Sequence, residues 1–224
     1  NAGFNADGAG YGWNSTTAYG HGPGGGNTAN SGAGYGGRGG GRGTALGGPA
    51  YGNPAAPLDP GSGGGGMDTR FSSTPGGGAI WIRAGGRVTH NGTITANGLS
   101  TASNYRGAGS GGGVLVEAAT LQGSGLLHAK GGASTHVDSK GGGAGGRIAL
   151  WTRVPESAGA AIRGGGMPRG ALAATNELPA SFSGSSAANV SLAGGSGGVN
   201  AMAGQPGTFR WISMAPGGTL LLQR

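Results

Sequence analysis

The residues of this chain suited to acid–base or metal chemistry are seven carboxylates and four histidines. They are Asp7, Asp59, Asp68, Glu117, Asp138, Glu156 and Glu177, with His21, His90, His128 and His136. Cleaving a glycoside needs two acids, or an acid with Arg, Lys or His, converging on one substrate. The spacing here brings no such pair together. Arg83 and Glu117 fall at similar places after glycine runs in successive repeats. They read as an outward pair on neighbouring strands, a structural contact worth about 0.2–1 kcal/mol. The histidines show neither the His-x-x-x-His spacing of a zinc site nor an Asp-bearing calcium nonapeptide, so they read as turn or solvent-facing residues. There is no Cys, which excludes disulfides and thiolate metal sites. Serine is too frequent for spacing to single out a Ser-His-Asp triad. The expectation is a chain that is not an enzyme and uses no metal or cofactor.

Two binding chemistries stand beside that reading. Trp13, Trp81, Trp151 and Trp211 are candidate sugar platforms. An exposed row of them beside two close carboxylates would make this a glycan-binding or glycan-cleaving protein. Tyr35-Gly36-Gly37-Arg38-Gly39-Gly40-Gly41-Arg42-Gly43 is similar to an Arg-Gly-Gly segment of RNA-binding proteins. Such segments work by repetition along a flexible chain, and one copy with two arginines is a weak form. No glycine run ends in the Gly-Lys-Ser/Thr that grips a nucleotide. The net charge of +7 comes from basic residues scattered singly from Arg38 to Arg224. That distribution suits solubility, or attraction to acidic glycans, better than a dedicated nucleic-acid patch. Three sequons, at Asn14, Asn91 and Asn189, are near the chance number for a chain so rich in Asn, Ser and Thr.

The elements that must position these residues are written in glycine. Gly supplies 60 of 224 residues, about four times ordinary usage. No Gly-X-Y period persists, which excludes collagen, and 35% hydrophobic content opposes a disordered linker. Instead, short alternating strands follow glycine runs. Gly78-Ala79-Ile80-Trp81-Ile82-Arg83-Ala84, Gly113-Val114-Leu115-Val116-Glu117-Ala118 and Gly146-Arg147-Ile148-Ala149-Leu150-Trp151 recur every 33 to 35 residues, and Gly207-Thr208-Phe209-Arg210-Trp211-Ile212 follows later. A second strand type lies between them. Gly92-Thr93-Ile94-Thr95-Ala96-Asn97-Gly98 aligns with Gly125-Leu126-Leu127-His128-Ala129-Lys130-Gly131, with a degenerate copy around Val190 and another opening the chain at Gly3-Phe4-Asn5.

Repeats of this period bury their apolar faces by stacking. The expected fold is therefore all-β: one domain over 1–224, a parallel β-helix or solenoid with glycine-rich turns and long ordered loops. One inward row is expected from Ile80, Leu115 and Ile148, flanked by Ile82 and Leu150, and another from Ile94 and Leu127. Trp81 and Trp151 alternate onto the opposite face. Residues 20–66 are a Gly/Pro-rich insertion, expected to pack as an ordered loop with polyproline-II segments bonded to one another. Residues 154–180 form a second insertion, with a short helix expected over Pro168–Asn176.

Residues 76–152, and more loosely 181–222, resemble the glycine-rich repeats of very large secreted bacterial surface proteins. The resemblance rests on Gly78–Ala84, Gly92–Gly98 and Gly145–Leu150. It implies a location outside the cell or at its surface. Neither end shows a polar capping unit, so the chain is a slice of something longer or pairs with copies of itself. Phe4 at one end and Leu220, Leu221 and Leu222 at the other are the expected assembly ends. The function expected is a non-catalytic stalk module or fibre subunit. Its partners would be further copies and, in the alternative reading, surface glycans, with no membrane span and nucleic acid disfavoured.

Overall fold

The computed structural model describes residues 2–12, 18–28, 30–43, 45–67, 73–103, 105–136, 140–166, 172–175 and 189–214. In chain order the strands are Gly3–Asn5 (β1), Ala79–Arg83 (β2), Arg87–Thr89 (β3), Thr93–Thr95 (β4), Gly113–Ala118 (β5), Thr120–Gln122 (β6), Leu126–His128 (β7), Arg147–Thr152 (β8), Leu172–Thr175 (β9), Val190–Ser191 (β10) and Thr208–Met214 (β11). One helix, Glu156–Arg163 (α1), follows β8. The strands make three sheets, ordered β2-β5-β8-β11-β9, β1-β4-β7-β10 and β3-β6. All pairings are parallel except β9 on β11.

This corrects the expected fold. The structure has mixed, mostly parallel sheets with a helix packed on one of them, and no closed solenoid is found among the described residues. The reason lies in the five-stranded sheet, which is apolar on both faces. One face gathers Val114, Val116, Ile148 and Leu150, which pack with Ile94, Leu121 and Leu127 from the other two sheets and with Ala96 and Ala129 just beyond β4 and β7. The opposite face gathers Leu115, Ala149, Trp151 and Ile212, which pack with Ala55, Ala56 and Ile162. A parallel sheet of this kind needs cover on both sides. Here α1 and the loop around Ala55 supply the second cover.

The register corrects one expected row. Ile80 lies opposite Val114, and Val114 opposite Ile148, so Leu115 does not belong to that row. It pairs with Trp81 and Ala149. A slip of one residue sends a side chain to the other face, and Leu115 is fully buried beneath the helix side instead. Ile94 and Leu127 do share a row, which Phe4 and Val190 extend. Side chains reinforce the same spacing: Asn97 Oδ1 accepts from the Lys130 N–H at 2.8 Å, and Ser100 Oγ from that of Ala133 at 3.0 Å.

The helix expected over Pro168–Asn176 is not where helix forms. Residues 172–175 are strand β9, and the rest of that stretch lies outside the described residues. The helix falls earlier because its local signals agree there. Pro155 precedes it, Glu156 sits in the first turn and Arg163 in the last, matching the helix dipole. Gly165, at φ 88, then turns the chain, donating to Ile162 O while Gly166 donates to Ala161 O. These two bonds satisfy the last carbonyls in a Schellman arrangement.

Most of the glycine segments outside the strands are not turns. Many are buried and bonded to one another through the backbone: Gly132 donates to Gly109 O, Gly143 to Gly132 O, Gly195 to Gly143 O and Gly204 to Gly195 O. A Cβ built on Gly109 would stand 2.0 Å from Pro75 O, on Gly143 1.9 Å from Gly109 O, and on Gly204 2.0 Å from Gly143 O. None of these three has φ in the left-handed region. Close backbone approach, not conformational freedom, is what requires glycine here. Gly109→Ala or Gly143→Ala should therefore cost more than about 3 kcal/mol, because only backbone can give way. Gly86→Ala, where a Cβ meets nothing within 4 Å, should be neutral or stabilising by up to about 1 kcal/mol. Urea denaturation of the three variants checks the contrast.

Candidate functional site

The densest set of polar side chains lies where α1 meets the sheet. Row positions at the carboxyl ends of β2, β5 and β8 bring Arg83, Glu117 and Trp151 side by side. From above, α1 contributes Glu156 and, two turns later, Arg163. Glu117 Oε1 accepts from Trp81 Nε1 at 2.8 Å and from Arg163 Nη1 at 3.1 Å, while Arg83 Nε stands 3.6 Å from Glu117 Oε2. Glu156 binds Arg163 Nη2 at 2.6 Å and also contacts Arg83 Nη2. The Arg163 guanidinium lies over both indoles, 5.4 Å from the Trp81 ring centre and 5.7 Å from that of Trp151. Each carboxylate is thus held by both arginines. The arrangement clamps helix to sheet. The Arg83–Glu117 pair expected from spacing is present, though Glu117 is mostly buried rather than outward; that Glu156 and Arg163 join it was not foreseen, because they lie in an insertion that the repeats do not describe.

A second polar cluster is buried under residues 47–62. Arg147, 6% exposed, donates Nε to Tyr51 O at 2.9 Å and Nη1 to Thr208 Oγ1 at 2.8 Å, and stacks over the Tyr35 ring at 5.4 Å. Burial lowers its pKa, opposed by Tyr35, Tyr51 and Asp59. Tyr35 packs on Tyr51 with ring centres 4.7 Å apart. Tyr51 hydrogen-bonds Pro60 O and accepts from Ser62 Oγ at 2.9 Å. Both phenols are pushed well above their usual range, Tyr35 by burial and then the Asp59 charge, Tyr51 by burial with Ser62 partly opposing. The Tyr35 hydroxyl lies near the Asp59 backbone but forms no hydrogen bond of good geometry.

The three expected platform tryptophans do not form a row. Trp151 is buried, with Nε1 bonded to Ala55 O at 2.8 Å. Trp211 points to the other face of the sheet, half-buried, with Nε1 on Thr152 Oγ1 at 3.0 Å. Trp81 is 49% exposed, and Arg163 lies over its ring. Trp13, Leu220, Leu221 and Leu222 lie outside the described residues. Phe4 stands exposed at the edge of its sheet. The Arg-Gly-Gly segment is packed: Tyr35 is buried and Arg38 bonds Gly47 O and, through its backbone, Gln205. Its aromatic ring is therefore withdrawn from base stacking. Among the described residues no group of His, Asp and Glu could hold a metal ion, and no helix is long and apolar enough to cross a membrane.

Compared with protein-family models, with curated proteins and with solved structures, the chain matches none.

Glu117→Gln should cost about 2 kcal/mol, because its carboxylate is mostly buried and bonds three side chains. Glu156→Gln, exposed, should cost less than about 1 kcal/mol. Chemical denaturation of the pair measures both. Tyr35→Phe, which removes only an unbonded hydroxyl, should leave stability within about 1 kcal/mol or raise it. A phenol whose folded pKa is raised stabilises fully below its unfolded value near 10 and loses that contribution as pH rises above it. Stability should therefore fall above about pH 10 in the native chain and less steeply in Tyr35→Phe, as melting points across pH 8–11 would show.

Proposed function

We propose that this chain is a non-catalytic structural protein of the cell exterior that associates end to end with copies of itself. The observation that carries this reading is an open end of the sheet stack. Strands β2 and β3 are sheet edges, with no neighbour on their outer side among the described residues. Between them the core opens as an apolar cavity of about 120 Å³, lined by Ile82, Val88, Ile94, Leu121 and Leu127, with Phe4 at its rim. Phe4 is 58% exposed.

Unpaired edges beside exposed apolar surface are templates for further strands. In the two smaller sheets every ladder is parallel, so there a second copy added at this end continues in the same direction. Repeating such a head-to-tail contact gives an open fibre. The backbone-packed glycine layer suits this role, since it makes a rigid body from short side chains. The location outside the cell rests on the resemblance of the repeats at residues 76–152.

Sedimentation velocity should show mass rising with protein concentration, and electron microscopy should show filaments. Phe4→Lys should weaken that association while changing stability by no more than about 0.5 kcal/mol, the range of an exposed substitution. A chain that stays monomeric at the highest soluble concentration overturns the proposal.

A further inference from the structure

We infer that the groove outside the carboxyl ends of β2, β5 and β8 binds an acidic polysaccharide, a ligand the structural role does not require. Two clefts of about 310 Å³ each adjoin there, sharing Ala119 and Arg153. One opens between Arg83, Glu117 and Pro155. The other opens between Arg87, Thr120, Gln122 and Trp211.

The charged residues lining this groove are Arg83, Arg87, Arg153 and Glu117, with Glu156 and Arg163 paired to Arg83 and Glu117 beside it. Arg83 and Arg163 are committed to the two glutamates. Arg87 and Arg153 are exposed and make no side-chain hydrogen bond or ion pair among the described residues. The surplus positive charge of the groove therefore resides on these two guanidiniums.

Arg153 carries a second signal. Its φ is 57, in the left-handed region that is costly for a residue bearing a Cβ and concentrates at functional positions. The Arg153 N–H bond to Ala118 O, 3.0 Å, holds it there. Glycine would sit at this place without strain, and this chain uses glycine freely elsewhere. An arginine here lines both clefts.

The spacing fits a sugar chain better than a nucleic acid. Arg87 belongs to the tier of β2 and Arg153 to that of β8, two strand spacings or about 10 Å apart along the stack. Thr120 and Gln122, neutral and exposed, lie between them. Widely spaced cations separated by neutral hydrogen-bonding groups match a hydroxyl-rich chain whose acids recur along it. Stacking on bases needs open aromatic faces. The Trp81 face is taken by Arg163 and Trp151 is buried, so of the indoles at the groove only the half-buried Trp211 remains for stacking.

Calorimetric titration of the full chain tests the assignment, using oligogalacturonate for uronates and chondroitin sulfate fragments for sulfates. Neutral cello-oligosaccharide and a single-stranded oligonucleotide run beside them. At least one acidic oligosaccharide should bind, with affinity falling as salt rises, and the neutral one should not. The arm that binds identifies the acid. Arg87→Gln and Arg153→Gly should each weaken binding by roughly tenfold. Their melting temperatures should match the native chain, or exceed it for Arg153→Gly. The Phe4→Lys background keeps the measurement separate from self-association. Failure of both acids to bind at low salt overturns the inference. So does a double variant that binds as the native chain does, or tighter binding of the oligonucleotide through these same arginines.

Discussion

A carbonyl oxygen standing about where a side chain would begin is the contact on which the rest of this molecule depends. It recurs from Pro75 through Gly109 and Gly143 to Gly204, and again where Gly112 meets Gly78, Gly146 meets Gly112 and Gly207 meets Gly146, each with 1.9–2.1 Å to the missing Cβ. Backbones this close bond laterally without forming strands, so a layer of the protein is made of main chain alone. Such a layer buries little apolar surface. The hydrophobic stabilisation must come from elsewhere, and it comes from both faces of the five-stranded sheet. The two-sided core is thus the counterpart of the side-chain-free layer, and the helix follows from the two-sided core.

How much of this was legible in the sequence follows the same division. Pairings set by repeat spacing were readable: Ile94 with Leu127, the early strand at Phe4 and the late one at Val190 all share a ladder. The Leu115 row was misread because the β5 run is apolar at consecutive positions. Val114, Leu115 and Val116 give alternation no foothold, and both faces of that strand are buried. The all-β expectation failed at α1, whose local signals are good but whose eight residues interrupt the repeat. Six described glycines do turn the chain with positive φ. The larger number act through absence of volume, which no local pattern distinguishes from flexibility.

A layer without side chains also has few ways to attach itself to its neighbours, which explains the odd distribution of large polar residues. The segment 47–62 is fastened by Arg147 to Tyr51, by Trp151 to Ala55 and by Asn53 to Ile162. Each fastening joins one side-chain donor to a backbone carbonyl, Arg147 and Trp151 donating into the segment and Asn53 out of it. Burying a guanidinium is costly unless its donors are met. Arg147 meets this with two hydrogen bonds and the Tyr35 ring, without a carboxylate within ion-pair distance among the described residues. The buried Tyr35 hydroxyl is an exception in this cluster: packing of the ring, rather than its polar end, holds that residue in place.

The same economy of side chains gives meaning to the arginines that remain unpaired. With 9% charged residues, a surface has few charges to spare, and the glutamates at the helix–sheet clamp are all engaged by arginine. Arg87 and Arg153 stand outside that clamp and on one groove. If copies stack along the ladder direction, the groove recurs once per copy on the same side of the stack. A weak site repeated on a rigid scaffold gains avidity through effective concentration, without any new contact. Two guanidiniums per copy would then act together on a long polyanion lying along the stack. Rigidity from glycine, parallel addition at an open edge and a sparse line of cations would act together as one device for binding an extended acidic chain.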